Sequence, residues 1–314
     1  MKLFIHIPKT AGTSLRKAVE SKFKPSHILC DYGMDSAVTS QEIKEEIYST
    51  KDHYRILSIG ERSNAKLVTG HIPLTRYAGA IGLGNACTIV RNPVDQVISH
   101  YEHHVKHFNY GEDLITFAKQ PGMINLQSKL LGGADPGLLG IIGLTERYRE
   151  TLKILKHHWG WGLAHKRENI GRRFRFKGLN VPEEQLEEIE KLNMQDKQMY
   201  GRAKQVFTNS LAYIDKDTGS DIRGSITVAN KGNGIRGWAF DMLSDNSAKI
   251  ELLLNGDTVC RLNCCEFLFA IAGWQPPRKS FVGFSYAPRQ LSEGDTIEIR
   301  DAEQGLTLDS REVV

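Results

Sequence analysis

Leu3-Phe4-Ile5-His6-Ile7-Pro8-Lys9-Thr10-Ala11-Gly12-Thr13-Ser14 is the stretch of sequence that decides the fold. Its first five residues predict a short buried strand, and the pattern after the turn predicts a helix from Leu15 to about Phe23. A strand, a turn rich in small and hydroxyl residues, and a helix place several backbone N–H groups and the positive end of a helix dipole around one point. The segment therefore predicts an anion-binding loop.

The side chains of this loop suit a phosphate or sulfate ester. Gly12 allows the backbone to approach an oxyanion closely, and Lys9 brings an ammonium group that can oppose charge on a leaving oxygen. We expect the anion to be held by Lys9, Thr10, Ala11, Gly12, Thr13 and Ser14. Loops that bind nucleoside triphosphates end in Gly-Lys-Ser/Thr, whereas the lysine comes first here, and no apolar strand ends in a metal-binding Asp. A P-loop kinase that uses ATP is therefore kept only as an alternative.

A second strand–loop–helix pattern follows further along the chain. Ala86-Cys87-Thr88-Ile89-Val90 predicts a buried strand, and Arg91-Asn92-Pro93 leads into a helix that reaches about His107. Two such patterns predict an α/β fold with a parallel sheet flanked by helices. We expect mostly helix between 112 and 160, and one long amphipathic helix from Glu183 to about Tyr213 that closes the first domain.

The charge balance and the residue pattern of the sequence change after Asp217. Residues 1–216 hold 31 Lys and Arg against 23 Asp and Glu, whereas residues 217–314 hold 10 against 14. The second part contains short alternating runs, and Asn255-Gly256 between two of them is a strong signal for a hairpin. We therefore predict a first domain over residues 1–216 and a small all-β, sandwich-like domain over residues 217–314, with a glycan-binding or structural role.

Two motifs together resemble those of a known enzyme family. The segment from Phe4 to Leu15 resembles the 5′-phosphosulfate loop of the Golgi-type and bacterial carbohydrate sulfotransferases, the group that includes heparan sulfate 2-O-sulfotransferase. Thr88 to Tyr101 is similar to the 3′-phosphate motif of that family, with Gln96 where many relatives have arginine. Weaker similarity continues through Asn125-Leu126-Gln127, Gly143 to Arg147 and Asp196 to Tyr200, so that the resemblance covers roughly residues 1–213.

The resemblance implies a P-loop-like sulfotransferase fold and a reaction. The co-substrate would be 3′-phosphoadenylyl sulfate, leaving as adenosine 3′,5′-bisphosphate, and no metal would be required. Arg91 and Ser99 would hold the 3′-phosphate, and Lys9 would stabilise the leaving group. His71, in a segment that resembles the Gly-His segment of the family, would be the general base that activates the acceptor hydroxyl. The acceptor would be a carbohydrate or another hydroxyl-bearing molecule.

Other side chains have competing interpretations. His6 is expected to be a packed strand residue, and the His103/His107 pair has the spacing of a metal face but lacks an acidic or Cys ligand nearby. A basic cluster between Lys166 and Lys177 is either a solvated loop or a cover for the donor. Trp159 and Trp161 are expected in the core, and stacking on a sugar or on adenine is the alternative. In the second domain, Trp238, Trp274 and Tyr286 are candidate sugar platforms, and packing is the alternative.

Composition limits the remaining classes. The five cysteines form no CxxC pair, so neither a zinc site nor a complete disulfide framework is predicted, and a bacterial cytoplasmic protein is expected. No apolar run is long enough to span a membrane, and the chain leaves no room for a signal peptide before Lys2. No basic tract suggests a nucleic-acid partner. A non-catalytic glycan-binding protein would need a broken donor loop, yet Lys9, Arg91 and Ser99 are present. The oligomeric state is left open.

Overall fold

Short runs of aliphatic and β-branched residues form the sheet of the first part of the chain. The computed structural model describes residues 1–164, 181–230, 234–288 and 290–313. In it, β1 (Lys2–Ile5), β2 (Ile28–Asp31), β3 (Leu67–Gly70), β4 (Ala86–Val90) and β5 (Ile141–Leu144) make a parallel sheet in the order β2-β3-β1-β4-β5. Such strands are buried on both faces, which explains their continuous apolar runs. The predicted α/β class with a parallel sheet is confirmed.

Helices connect these strands. The described residues form α1 (Gly12–Glu20), α2 (Gln41–Ile43), α3 (Ile56–Arg62), α4 (Ala78–Ile81), α5 (Pro93–Phe108), α6 (Leu114–Ala118), α7 (Leu126–Leu130), α8 (Tyr148–Trp159), α9 (Glu183–Leu192) and α10 (Met194–Asp215). Helix α5 begins with Pro93 at its first turn, and the Asn92 side chain accepts hydrogen bonds from the N–H groups of Val94 and Asp95. Both features are strong helix-start signals, and both are readable from the sequence.

The strand order has a switch point between β1 and β4. Strands β1 and β4 are neighbours, and the chain leaves β1 towards β2 but leaves β4 towards β5, on the opposite side. Where connections of a parallel sheet diverge in this way, a crevice opens at the carboxyl ends of the strands, and ligands bind there. The loop from His6 to Ala11 and the turn at Arg91 both lie at this point.

The second part of the chain is antiparallel. Strands β6 (Ile222–Asn230), β7 (Gly234–Asp241), β10 (Glu266–Phe267) and β11 (Phe281–Tyr286) form one four-stranded sheet, and the second sheet contains β8 (Ala248–Leu254), β9 (Asp257–Cys264), β12 (Thr296–Asp301) and β13 (Thr307–Glu312). A short helix, α11 (Phe269–Ala272), follows β10. One apolar core includes Ile226 and Ile235 from the first sheet and Ile250, Leu252 and Ile297 from the second. The two sheets therefore pack face to face.

The predicted hairpin is present. Strands β8 and β9 pair around Asn255 and Gly256, which have φ angles of 51° and 90°. Positive φ at both central residues is what the tight hairpin turn requires, and Asn and Gly adopt it at low cost.

Two predictions about the first part of the chain are refined by the structure. The stretch from 112 to 160 contains the helices α6, α7 and α8, as expected, but it also contains β5 (Ile141–Leu144), a fully buried strand at the edge of the parallel sheet. The long helix is two helices, α9 and α10, separated at Asn193. There the Asn193 side chain donates to Ile189 O and accepts from the Asn125 N–H, and these bonds hold a non-helical backbone.

The chain separates into two compact units. The first comprises Met1–Ile81 and Asn85–Lys204, and the second comprises Gly82–Gly84 and Gln205–Val314. The division falls inside α10, whereas the sequence analysis places it after residue 216, just beyond the end of that helix. None of the helices in the described ranges is both long enough and apolar enough to cross a membrane.

Candidate active site

The loop after β1 is built to present its backbone. Lys9 and Ala11 both have left-handed backbone conformations, with φ angles of 67° and 68°. Thr10, between them, is completely buried. Its hydroxyl donates a hydrogen bond to Ile7 O at 2.9 Å and so stabilises the conformation of the loop. Helix α1 then starts without a side-chain cap and without an acidic residue in its first turn. An N-terminus of this kind is suited to an anion, because backbone N–H groups and the positive end of the helix dipole are directed towards it.

Gly12 has a neighbour that the sequence did not reveal. A Cβ at this position would lie 2.0 Å from Cδ2 of His6, so the His6 ring packs directly against the Gly12 backbone. The ring is buried, and its Nδ1 is 2.8 Å from the Tyr32 hydroxyl. Burial lowers the pKa of His6 to about 3, and His71 and Arg16 add to the effect. His6 is therefore a neutral packing residue, as expected, and one reason for glycine at position 12 is this ring.

The turn after β4 contacts the loop after β1 directly. Arg91 Nη1 donates to Lys9 O at 3.2 Å, and Gln96 Nε2 donates to Pro8 O at 3.1 Å. Desolvation lowers the pKa of the Lys9 ammonium, and the nearby Arg91 guanidinium lowers it further. The structure thus places two cationic residues, Lys9 and Arg91, next to each other at the carboxyl ends of β1 and β4. Gln96 holds the loop through its side-chain amide.

Ser99 lies further along the same helix. It is half-buried, and it follows Gln96 by three residues on α5. Positions three apart share a helix face, so Ser99 lies on the face through which Gln96 reaches the loop. Thr13 is exposed at the start of α1, and Ser14 is half-buried beside it.

Residues of the three more weakly matching segments, Gln127, Glu146 and Asp196, lie around the backbone of the Arg91 turn. Gln127 is completely buried and bonds both backbone groups of Arg91: its Oε1 accepts from Arg91 N at 3.0 Å, and its Nε2 donates to Arg91 O at 2.9 Å. Asp196 accepts from the N–H groups of Gln127 and Ser128. Glu146 accepts from Asn92 N at 3.0 Å. These polar residues, which lie far apart in sequence, fix the backbone of the Arg91 turn.

His71 follows β3 and is exposed to solvent, although protein groups crowd its ring. Its centroid lies 4.6 Å from that of His6 and 4.8 Å from that of Tyr32, both in edge contacts. The surrounding protein, rather than complete enclosure, removes water from the ring and lowers the pKa of His71 to about 4, and Arg16 contributes as a nearby cation. Arg16 lies on α1 over the Tyr32 ring, at 5.8 Å. His71 is therefore neutral at pH 7 and able to accept a proton.

Four histidines line one side of α5. His100 is buried, its Nδ1 has no hydrogen-bond partner, and burial lowers its pKa to about 3, with His104 and Lys9 contributing as positive neighbours. The rings of His103 and His107 lie 4.6 Å apart. Within the described residues, no group of three or more His, Cys, Asp or Glu side chains could hold a metal ion.

Several aromatic candidates have other roles. Trp238 is only 3% exposed and stacks on Phe240, so of the two alternatives for this residue the structure shows packing rather than a sugar platform. Tyr286 packs against the core of the second unit. Trp161 packs on Phe23, and Lys2 Nζ lies over Trp159, so both indoles are half-buried rather than central. The basic cluster between Lys166 and Lys177 lies outside the described residues.

The roles of Arg16, Tyr32 and Asp31 cannot be read from the sequence, because they depend on contacts between distant segments. A search of protein-family models finds no match for this chain, and no curated protein matches its sequence.

Proposed function

We propose that the first unit is a sulfotransferase of P-loop-like fold that transfers a sulfuryl group from 3′-phosphoadenylyl sulfate to a hydroxyl of a carbohydrate. The observation that carries the proposal is the contact between the two motifs. Arg91 donates to the backbone of Lys9 at the carboxyl ends of the neighbouring strands β1 and β4, so one ligand can touch both segments. A nucleotide with phosphate groups at its 5′ and 3′ positions needs two anion sites that lie side by side.

The loop residues would act on the donor. Backbone N–H groups at the start of α1 would hold the 5′-phosphate, and Arg91 with Ser99 would hold the 3′-phosphate. Sulfuryl transfer resembles phosphoryl transfer in having a loose, in-line transition state, with charge growing on the leaving oxygen. Lys9 is the cation near this point, and partial desolvation strengthens its interaction with that charge. We expect no metal requirement, because a sulfuryl group carries less negative charge than a phosphoryl group.

His71 would act on the acceptor. A general base must be unprotonated before the reaction, and with a pKa of about 4 in the free protein His71 meets this condition across the neutral range. A bound anionic donor would raise this pKa and so strengthen the base. Contacts with His6 and Tyr32 limit the orientations of the ring. A cytoplasmic location remains a prediction.

Calorimetry with adenosine 3′,5′-bisphosphate tests donor recognition. We expect wild type to bind, and Arg91→Ala to bind about 10–100-fold more weakly, because a charge-assisted hydrogen bond contributes about 1.5–3 kcal/mol. Arg62→Ala is the matched control, since Arg62 is an exposed arginine of the first unit paired with Glu46. Absence of binding to folded wild type would contradict the proposal. Tight, magnesium-dependent binding of ATP instead would favour a kinase.

Sulfate transfer itself is measured with radiolabelled donor and a panel of glycans. We expect a labelled carbohydrate product that forms equally well in the presence of EDTA. Label transferred only to small non-carbohydrate hydroxyls would keep the reaction but reject the acceptor class.

A further inference from the structure

A buried carboxylate lies beside the segment that carries His71. Asp31 is the last residue of β2 and is completely buried. Its Oδ1 accepts from the Tyr48 hydroxyl at 2.7 Å, and its Oδ2 accepts from Arg76 Nε at 2.8 Å and from the Tyr77 hydroxyl at 2.6 Å. Arg76 and Tyr77 are the fifth and sixth residues after His71. A single carboxylate therefore ties down the far end of the His71 segment.

The near end of the segment is held equally tightly. Gly70, immediately before His71, pairs in register with Asp31, and a Cβ at Gly70 would lie 1.7 Å from Asp31 O. Gly70 O also accepts from His6 N at 3.0 Å. Only glycine allows this approach, so the residue before His71 lies directly against the Asp31 backbone.

Alternation along the strands separates the two sets of side chains. Successive residues of a strand point to opposite faces of the sheet, so Asp31 and Tyr32 diverge, as do Gly70 and His71. Tyr32 contacts the His71 ring, whereas Asp31 binds Arg76 and Tyr77. Two adjacent residues at the end of β2 thus control both the ring of His71 and the path of its backbone.

Arg76 is itself tightly held. Its guanidinium lies over the rings of Tyr48 and Tyr77, at 4.7 Å and 5.4 Å, and its Nη1 is 3.2 Å from His53 Nε2. A buried ion pair is seldom a better stabiliser than apolar packing of the same volume, and its clearest advantage is that it selects one arrangement. The cluster of Asp31, Tyr48, Arg76 and Tyr77, here called the Asp31 clamp, has this character.

We propose that Asp31 is a positioning residue that acts through Arg76 and Tyr77 to hold His71 in its reactive place. The proposal rests on the proposed function, in which His71 is the base. Displacing a catalytic group by about 1 Å can lower a rate by about 100-fold, so loss of the clamp affects turnover far more than donor binding.

The test compares Asp31→Asn with Asp301→Asn. Asp301 is a buried carboxylate of the second unit that accepts from the Tyr213 hydroxyl at 2.8 Å, which makes it a matched control for the loss of a buried tyrosine–carboxylate bond. We expect kcat to fall about 10–100-fold in Asp31→Asn, with adenosine 3′,5′-bisphosphate affinity within about twofold of wild type. In Asp301→Asn we expect Tm to fall and kcat to stay within about twofold. Equal kcat in the two variants would overturn the proposal.

A milder variant covers the case in which Asp31→Asn does not fold. Tyr77→Phe removes one hydroxyl from the clamp and leaves the charge pair in place, and we expect a fall in kcat of about 3–10-fold without a change in donor affinity. Wild-type kcat in this folded variant would count against the clamp.

A spectroscopic measurement separates this proposal from the proposed function. The ¹³C–¹H signal of the His71 ring, assigned by its loss in His71→Gln, should shift or broaden in Asp31→Asn and stay unchanged in Asp301→Asn. An unchanged signal in Asp31→Asn would overturn the clamp even if the enzyme is a sulfotransferase. A changed signal in a protein that transfers no sulfate would support the clamp and reject the proposed function.

Discussion

The two units bury polar groups in different ways. In the second unit the buried carboxylates are matched: Asp221 pairs with Arg223, Asp301 accepts from Tyr213, and Asp309 accepts from Ser225 and the Ile226 N–H. In the first unit, Arg76 Nη2 and His100 Nδ1 are buried without a hydrogen-bond partner. Among the described residues, no such atom is found in the second unit. A buried polar atom without a hydrogen-bond partner lowers stability. Such atoms are therefore expected where side chains are selected for function rather than for stability.

Histidines show the same contrast. All eleven precede residue 166, and residues 205–314 contain none. Three of those in the first unit, His6, His71 and His100, have pKa values lowered to about 3 or 4 by desolvation. Clusters of perturbed titratable groups are typical of functional sites. The histidines with lowered pKa values therefore all lie in the first unit, which agrees with the proposal that the active site lies there.

The largest expected effect is the loss of the base. His71→Ala should lower kcat about 10²–10⁴-fold, the usual contribution of general base catalysis, and should leave adenosine 3′,5′-bisphosphate affinity nearly unchanged. Steady-state kinetics and calorimetry measure the two quantities. His157→Ala, at an exposed histidine of the same unit, is the control. Unchanged turnover in His71→Ala would remove His71 from the mechanism.

Removing a polar support of the Arg91 turn should have the next largest effect. Gln127→Leu deletes both hydrogen bonds to the Arg91 backbone and leaves its N–H and C=O unsatisfied, so we expect about 10-fold weaker bisphosphate binding and a loss of about 2–3 kcal/mol in stability. Asp309→Asn in the second unit should lower stability without changing affinity. If both variants bind equally well, the Arg91 turn does not depend on Gln127.

The third prediction concerns stability at acid pH, which should decrease more in the first unit than in the second. The folded pKa of His6 and of His100, about 3, lies below the ordinary 6.5, so the unfolded state binds more protons between these values. Their contribution to stability is complete above pH 6.5 and declines as the pH falls through this window, by roughly 1–2 kcal/mol per histidine at about pH 5. Hydrogen exchange of the full chain should show faster opening of β1 and β4 at the lower pH, with β7 and β12 little changed. Equal acceleration in both units would contradict this.

The smallest expected effect is a shift in a pH profile. Arg16 is the second cause, after desolvation, of the lowered pKa of His71. Arg16→Gln should therefore raise the acid limb of kcat/KM, which reports the free enzyme, from near pH 4 by about half a unit to one unit. Lys17→Gln, at an exposed neighbouring cation of α1, should not move it. A limb that stays in place in Arg16→Gln would separate Arg16 from the base.

Local signals in the sequence predicted the framework well. Pro93 and Asn92 marked the start of α5, Asn255-Gly256 marked the β8–β9 turn, and the two strand–loop–helix patterns marked β1 and β4. Each of these features depends on residues close together in the chain, where hydrophobic period and turn chemistry act directly.

Long-range contacts explain what the sequence did not predict. The helix break at Asn193 depends on Asn125, and Asp31 meets Arg76 only after folding. A tryptophan in a β-rich domain can form an exposed sugar platform, but Trp238 lies on the interior strand β7 and is buried. Strand β5 is short and buried on both faces, so it lacks the alternation that reveals half-exposed strands. Patterns along the chain carry little information about such partners.

The packing of His6 on Gly12 makes the substitutions that are tolerated at one position depend on the residue at the other. Because a Cβ at residue 12 would collide with the imidazole ring, a change to alanine at position 12 is tolerated only after position 6 has lost its ring. The constraint acts in one direction, since glycine at position 12 also fits a smaller side chain at position 6. Among descendants of this sequence, a large ring at position 6 should therefore occur only together with glycine at position 12.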